Sequence, residues 1–220
     1  MMDPDDFVIS RKRKKYKFAK FFNAANCFEF EDWQKQAADF VEIGAGTGLF
    51  SLELAKRYPS KRFVAIDVKA DRLQKGAYEA LTQGIENIVF LRARADQIDE
   101  CIELHSVEQM WLTFPDPFPR ERSARRRMTH PIYLQKYAGL LSPQGSFYLK
   151  HDNPQFFQWS LEQLVSEKWH IKELSFDLHE SDLADDYKVE TSYEQRWLGE
   201  GRLTHFVRAK RPTTSQMAGV

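Results

Sequence analysis

Between residues 40 and 150, short apolar segments alternate with segments of helical periodicity, and no other feature limits the fold as strongly. Phe40–Ile43 is an apolar run that ends at a glycine, as a buried strand does. Leu49, Leu52 and Ala55 follow at helical spacing, and Pro59 marks the end of that helix. Strands that alternate with helices predict βαβ units and a mostly parallel sheet with helices on both faces.

Seven strands are predicted along the whole chain. The segments predicted as strands are 40–43, 63–66, 88–91, 110–114, 146–150, 170–178 and a final strand near Phe206. The segments predicted as helices are one that starts at Leu49, then 73–81, 133–141, 156–168 and a short helix near Tyr193. The sequence therefore predicts an α/β, Rossmann-like fold with a seven-stranded sheet, whose parallel strands end along one edge where ligands bind.

Length and composition are typical of one globular domain. The chain has 220 residues, of which 42% are hydrophobic and 14% aromatic, which is enough to build a core. We expect residues 1–30 to form a basic, flexible arm and residues 31–211 to form a single domain. Residues 212–220 are expected to be a disordered tail. The sequence shows neither a secretory signal nor an apolar run of roughly 18 residues, which predicts a cytoplasmic protein without a membrane span. Cys27 and Cys101 cannot form a four-ligand zinc site by themselves, and we expect no metal.

Positive charge is concentrated in two segments, although the formal net charge is +0. The first is the basic run 11–15, which Lys17 and Lys20 extend. The second is a cluster of arginines, namely Arg120, Arg122, Arg125, Arg126 and Arg127. Charge runs are more often solvated surface than binding sites. Charge segregated in this way can nevertheless bind a polyanion.

A glycine loop follows the first predicted strand. Gly44, Gly46 and Gly48 permit a tight turn there and let a ligand approach the backbone. The helix that follows points its free N–H groups back at this loop. A dinucleotide-binding fingerprint requires a glycine at position 49, which is leucine here. The loop is therefore poorly matched to a pyrophosphate.

One acidic residue precedes the glycine loop, and another ends the next predicted strand. Glu42 lies two residues before the first glycine, where it suits the cationic amino group of a methionine moiety. Asp67 ends the second strand, where a carboxylate can accept both hydroxyls of an adenosine ribose. Glu42, the loop and Asp67 together resemble motifs I and II of class I S-adenosylmethionine-dependent methyltransferases. At the third strand end, Asp96 either contacts the adenine or caps the next helix.

A proline-rich loop follows the fourth predicted strand. Pro115, Pro117 and Pro119 fix the backbone φ angle. Because prolines flank Asp116, its carboxylate is held within a narrow range of positions at the edge predicted to bind the cofactor. The arginines that follow are suited to binding phosphates.

Several ordered motifs resemble those of the bacterial tRNA (guanine-N7-)-methyltransferases, over roughly residues 40–210. The matching segments are 42–48, Asp67, 116–120, 150–153, 177–179 and 191–194, followed by Arg208. The chain departs from the family pattern at five positions. These are Phe118 for tryptophan, Arg120 for lysine, His151 for threonine, Ser192 for glutamate, and Arg94 for an aspartate near the adenine.

The resemblance implies that the chain transfers a methyl group from S-adenosylmethionine to N7 of a guanine in tRNA, in the variable loop by family pattern. It implies Asp116 as the catalytic residue. The implied cofactor-binding residues are Glu42, Gly44, Gly46, Asp67, Arg94, Ala95 and Asp116. The implied substrate-binding residues are Arg120, Asp152, Thr191, Ser192, Tyr193 and Glu194. The expected partner is tRNA, without a membrane or a metal, and the chain is either a monomer or a homodimer.

Other functions remain open from the residues alone. A methyltransferase of the same fold can act on another RNA, a protein or a small molecule. A nicotinamide-dependent oxidoreductase uses a similar sheet, although Glu42 and the leucine at position 49 disfavour a pyrophosphate. A non-catalytic RNA-binding protein on the same scaffold would not need the intact glycine loop and the acids at the strand ends.

Overall fold

Eight strands form one sheet in the computed structural model, which describes residues 1–9, 11–191 and 193–213. In chain order they are β1 (Cys27–Glu29), β2 (Phe40–Ile43), β3 (Phe63–Asp67), β4 (Ile88–Arg92), β5 (Val107–Thr113), β6 (Leu141–His151), β7 (His170–Ser175) and β8 (His205–Lys210). Their order across the sheet is β1-β4-β3-β2-β5-β6-β8-β7. The strands from β1 to β6 pair in parallel, whereas β8 is antiparallel to both of its neighbours.

Helices connect these strands. They are α1 (Lys12–Asn23), α2 (Leu49–Arg57), α3 (Ala70–Thr82), α4 (Ile98–Cys101), α5 (Pro131–Leu140), α6 (Pro154–Ser166) and α7 (Glu194–Leu198). Short 3-10 helices occupy Pro4–Asp6, Phe30–Asp32, Ala95–Gln97 and Glu121–Arg126. The predicted mostly parallel α/β sheet is confirmed, and every strand expected from the sequence has its counterpart.

The predicted count of seven strands is wrong by one. The additional strand, β1, pairs in parallel with β4 at the edge of the sheet through Cys27–Glu29. Three residues are too few for an alternating pattern to stand out, so periodicity does not predict this strand. The same reason applies to α4, a helix of four residues that the sequence does not predict.

The flexible arm expected over residues 1–30 contains ordered elements instead. Helix α1 packs against α3, and Phe21 is 1% exposed. Phe18 of the same helix lies beneath the cations of Lys14 and Arg92. The apolar side chains at the end of the basic run drive this packing, since burying a phenylalanine contributes about 1.5–3 kcal/mol. Of the predicted tail, 214–220 lies outside the described residues.

Two apolar layers cover the sheet, one on each face, because side chains alternate along each strand. Val41 belongs to the layer that includes Leu134 of α5. Phe40, its neighbour in sequence, belongs to the layer that includes Phe50 of α2 and Leu73 of α3. This arrangement confirms the helices expected on both faces. In the described ranges, no helix is long and apolar enough to span a bilayer.

The strand order reverses at β2, which lies between β3 and β5. In open α/β sheets, ligands bind at such a reversal, beyond the carboxyl ends of the strands. The loops that follow β2, β3 and β5 all emerge at this edge, and they carry the glycine loop, Asp67 and the proline-rich loop.

Candidate active site

The glycine loop turns sharply between β2 and α2. Its backbone φ angles are +71° at Gly44, +58° at Gly46 and +69° at Gly48, in the left-handed region that favours glycine. A Cβ at position 48 would lie 2.5 Å from the ring of Phe90, so a side chain there cannot fit without displacing the core. A Cβ at position 46 would meet nothing within 4 Å. Position 46 therefore faces open space on the ligand edge.

Asp67 fixes the shape of the glycine loop. One carboxylate oxygen accepts a hydrogen bond from the Gly46 N–H at 2.8 Å, and the other accepts one from the Lys69 N–H at 2.8 Å. Asp67 is 9% exposed, and this burial raises the pKa of its carboxyl, against the effect of both hydrogen bonds. The predicted ribose-binding residue thus lies beside the loop, where the sequence places it.

Glu42 is buried beneath the loop. Its carboxylate accepts hydrogen bonds from Ser51 Oγ of α2 and Thr113 Oγ1 of β5, both at 2.6 Å. Only 2% of the residue is exposed, and burial raises the pKa of its carboxyl to about 7. Neither hydroxyl partner belongs to a recognised motif, so the sequence does not reveal these two contacts. The Ser51 backbone N–H is a third partner of the carboxylate, which leaves one of its four lone-pair positions for a ligand donor.

At the end of β4, the structure contradicts the capping alternative for Asp96 and leaves its contact with the adenine a prediction. The Arg94 guanidinium binds the Asp96 carboxylate through Nε at 2.9 Å and Nη2 at 2.5 Å. Asp96 does not cap the next helix, since the N-cap residue of α4 is Gln97. The Arg94 side chain is 70% exposed, and Ala95 beside it is half-buried.

A cavity of about 390 Å³ opens between the proline-rich loop and the segment that follows β6. Its lining includes Phe114, Asp116, His151, Asp152, Tyr193 and Arg202. Asp116 is exposed, and no hydrogen bond or ion pair reaches its carboxylate from the described part of the chain. The proline-rich loop therefore presents an unengaged carboxylate to the cavity.

Two arginines of the cluster contact Phe118 in the proline-rich loop. The Arg126 guanidinium lies 4.3 Å from the centre of the Phe118 ring. Arg127 Nη2 donates to the Phe118 carbonyl at 3.1 Å and also covers the ring of Trp159. The side chains of Arg120, Arg122 and Arg125 are exposed. The cluster thus has a structural part and a part open to a ligand.

Asp152, in the segment that follows β6, also lines the cavity. Its carboxylate accepts a hydrogen bond from Arg202 Nη1 at 3.0 Å, and the side chain is 8% exposed. The Arg202 guanidinium also stacks 3.7 Å from the ring of Trp197. Sequence analysis did not identify Arg202, because no motif includes it.

Glu194 is buried in a charged network instead of lining the cavity. Its Oε2 accepts from Lys150 Nζ at 2.7 Å, and both side chains are 0% exposed. Its Oε1 accepts from His179 Nε2 at 2.8 Å and from Thr204 Oγ1 at 3.1 Å. Burial lowers the pKa of Lys150, although the Glu194 carboxylate opposes that effect.

Thr191 and Glu194 form a reciprocal pair at the start of α7. The Thr191 N–H donates to the Glu194 carboxylate at 3.1 Å, and the Glu194 N–H donates to Thr191 Oγ1 at 3.0 Å. This is the hydrogen-bonding pattern of a capping box. Tyr193 is exposed and lines the cavity, with its ring 5.3 Å from that of Phe114. Ser192 lies outside the described residues.

The structure brings Glu42, Asp67 and Asp116 to one edge of the sheet. Glu42 and Asp67 lie at the ends of the neighbouring strands β2 and β3, and both contact the segment around the glycine loop. Thr113 ends β5 in contact with Glu42, and Asp116 follows it three residues later. In residues 1–9, 11–191 and 193–213, no group of three or more His, Cys, Asp or Glu side chains is placed to hold a metal ion.

Comparison with known proteins agrees with this geometry. A profile of the family described as "Putative methyltransferase" matches residues 36–207. The tRNA (guanine-N(7)-)-methyltransferase of Brevibacillus brevis is 35% identical over 77% of this chain and 78% of its own length. That of Bacteroides thetaiotaomicron is 32% identical over 78% of this chain and 68% of its own length.

The chain belongs to the tRNA (guanine-N7-)-methyltransferase family. The family resemblance expected from the motifs is thereby confirmed. Among solved structures, a variant of the 16S rRNA (adenine(1408)-N(1))-methyltransferase from Catenulisporales acidiphilia with cosubstrate SAM has a TM-score of 0.55. It is 11% identical and covers 97% of this chain and 93% of its own, so it shows the methyltransferase fold alone.

Proposed function

We propose that this protein transfers the methyl group of S-adenosylmethionine to N7 of a guanine in tRNA. One observation supports the proposal most directly. Asp116, a cavity residue whose carboxylate has no partner among the described residues, follows three residues after Thr113, which contacts the buried Glu42. A nucleoside cofactor on the glycine loop and a base in the cavity would therefore meet at this edge. The activity by which the relatives are named supplies the substrate, tRNA, and the guanine N7 atom.

The residues around the glycine loop fit S-adenosylmethionine. Glu42 has a lone pair left for the cationic amino group, because the Ser51 and Thr113 hydroxyls and the Ser51 N–H occupy only three of its four positions. Asp67 lies at the edge where a ribose binds, and position 46 leaves the backbone open. Gly44, Ala95 and Arg94 are the other proposed cofactor-binding residues. Arg94 would contact the cofactor either with its guanidinium, after leaving Asp96, or with the methylene groups of its side chain. When bound, the cofactor supplies an electrophilic methyl group on a sulfonium sulfur.

Asp116 is the proposed catalytic residue. Guanine N7 carries a lone pair and no proton, so no general base is needed and the enzyme acts mainly by alignment. Methylation leaves the base cationic, and a nearby carboxylate stabilises the charge that develops. The same carboxylate can accept hydrogen bonds from the N1 and N2 hydrogens of guanine. Asp152 and Tyr193, which also line the cavity, would complete the base pocket.

Phosphate contacts are proposed for the exposed arginines and the basic face of α1. Arg120, Arg122 and Arg125 carry exposed guanidinium groups beside the cavity loop. Lys12, Arg13 and Lys14 at the start of α1 are exposed as well, while the apolar side of that helix packs on the core. Such groups position a nucleic acid through its backbone.

Thr191, Ser192 and Glu194 remain proposed substrate-binding residues. The burial of Glu194 favours an indirect contribution, in which its network with Lys150 and His179 holds Tyr193 at the cavity. The division into a domain over 31–211 and a cytoplasmic location likewise remain predictions.

The test uses the purified protein, labelled S-adenosylmethionine and unmodified tRNA. We expect methylation that aniline cleavage maps to a single N7-methylguanosine. Asp116→Asn should lower kcat about 100- to 1,000-fold and leave most of the affinity for S-adenosylhomocysteine intact, because the other cofactor-binding residues remain. Asp182→Asn, at an exposed aspartate on the surface, is the matched control. Near-normal turnover by Asp116→Asn would remove Asp116 from the mechanism.

Calorimetry separates the proposal from the oxidoreductase alternative. We expect binding of S-adenosylhomocysteine and no binding of NAD. Binding of NAD alone would refute the methyltransferase assignment.

A further inference from the structure

His151, one of the departures from the family pattern, lies between the end of β6 and the proline-rich loop. It ends β6, is 3% exposed, and its ring lies 4.4 Å from that of Phe156. The buried imidazole therefore lines the wall of the cavity that also contains Asp116 and Asp152.

The hydrogen bonds of His151 define one tautomer. The Asn153 N–H donates to His151 Nδ1 at 2.8 Å, so Nδ1 is an acceptor and carries no proton. The proton then lies on Nε2, which donates to the carbonyl oxygen of Pro115 at 2.9 Å. Burial lowers the pKa of His151, which agrees with a neutral ring.

The bond to Pro115 bears directly on Asp116. Pro115 is the residue before Asp116, and Pro117 follows it, so the backbone on both sides has a fixed φ angle. Fixing the Pro115 carbonyl therefore fixes the direction in which the chain enters Asp116. Just before Pro115, the Phe114 N–H donates a further hydrogen bond, to the Lys150 carbonyl at 2.9 Å. The Asp116 side chain itself has no hydrogen bond in the described ranges that could hold it.

We infer that His151 is a positioning residue, which holds Asp116 at the cavity by binding the carbonyl of Pro115. The inference rests on the proposed function, because it assigns His151 to the alignment of the proposed catalytic carboxylate. Its partner bond to Asn153 orients the ring, and Asn153 in turn caps α6 by accepting from the Phe156 N–H at 2.8 Å. The carboxyl end of β6 is thereby coupled to the proline-rich loop.

Three substitutions separate positioning from simple packing. His151→Gln places a donor where Nε2 lies and retains the bond to Pro115. His151→Asn retains an acceptor for the Asn153 N–H but cannot reach Pro115. His151→Leu loses both bonds. If alignment of Asp116 is the function of His151, kcat at saturating tRNA and cofactor should fall about 100-fold in the Leu and Asn variants.

His151→Gln should restore most of the turnover that the Leu variant loses. The KM for tRNA and the affinity for S-adenosylhomocysteine should stay near those of the wild type in all three variants. Equal turnover in the Gln and Asn variants would overturn the inference, since only Gln keeps the Pro115 bond. So would a Leu variant with wild-type kcat.

A measurement on the wild-type protein does not depend on activity. Nitrogen-15 NMR of labelled histidine should show a neutral ring protonated at Nε2 for His151, assigned by its loss in His151→Gln. A ring protonated at Nδ1 would contradict the proposed bond. If the wild type fails to methylate tRNA while the tautomer is as expected, the proposed function fails and the Pro115 contact stands.

Discussion

Replacing Glu42 with glutamine should stabilise the protein above pH 7 while abolishing its affinity for S-adenosylhomocysteine. Glu42 is 2% exposed and holds two hydroxyl partners, from Ser51 and Thr113. Both hydroxyls can reorient, so an amide of the same shape keeps both hydrogen bonds. An amide cannot provide the negative charge that the cationic amino group of the ligand requires.

The magnitude follows from the pKa of Glu42, which burial raises from 4.5 to about 7. A shift of that size corresponds to roughly 3 kcal/mol. The folded protein retains the proton to a higher pH than the unfolded chain does. As pH rises from 4.5 to about 7, the unfolded chain binds fewer protons, so the free energy of unfolding falls over this window. Above pH 7 the buried carboxyl is ionised, and the full free-energy cost of burying that charge destabilises the wild type. Glutamine is neutral at every pH and does not have this cost.

Urea denaturation at several pH values measures this effect. The free energy of unfolding of Glu42→Gln minus that of the wild type should be near zero at the acid end of the window and reach about 3 kcal/mol at pH 8. Glu86→Gln, at an exposed glutamate, should show no such difference. A Glu42→Gln protein that is less stable than the wild type at pH 8 would refute the reasoning. Retained binding of S-adenosylhomocysteine, measured by calorimetry at the same pH, would refute the assigned contact.

Two further predictions share one control, Lys172→Met, at an exposed lysine of β7. Lys150→Met should lower the free energy of unfolding, measured in urea, by about 3 kcal/mol, because it leaves the buried Glu194 carboxylate without its cation. A loss of stability no larger than that of the control would contradict this prediction. Replacing Arg120, Arg122 and Arg125 with alanine should reduce the slope of log affinity for tRNA against log salt by about 2 to 3. A slope equal to that of the control would show that these arginines do not contact phosphates.

Sequence patterns predicted those parts of the architecture that depend on residues close together in the chain. The strands from β2 onward and most helices follow from apolar periodicity, and the glycine loop follows from residues that tolerate a positive φ angle. These are properties of consecutive residues, so a single sequence displays them. The pattern failed for α1, where a dense basic run conceals the apolar side that packs on α3.

Motifs named the polar residues of the candidate site but did not show how these residues are arranged. Glu194 belongs to a recognisable motif that predicts contact with substrate, whereas the structure buries it against Lys150 and His179. Arg202 belongs to no motif, and its place beside Asp152 is visible only in the fold. A motif records which residues are present, whereas burial depends on what packs around them.

The sequence by itself determined the α/β sheet, the edge that carries the ligand loops and the three acids that end there. Tertiary structure alone decided which charges are buried and what holds them. Glu42 and Thr113 are 71 residues apart in sequence, and Lys150 and Glu194 are 44 apart. The physical reason is that these groups meet only when separate strands align in the sheet, and their electrostatics depend on the solvent that this packing removes.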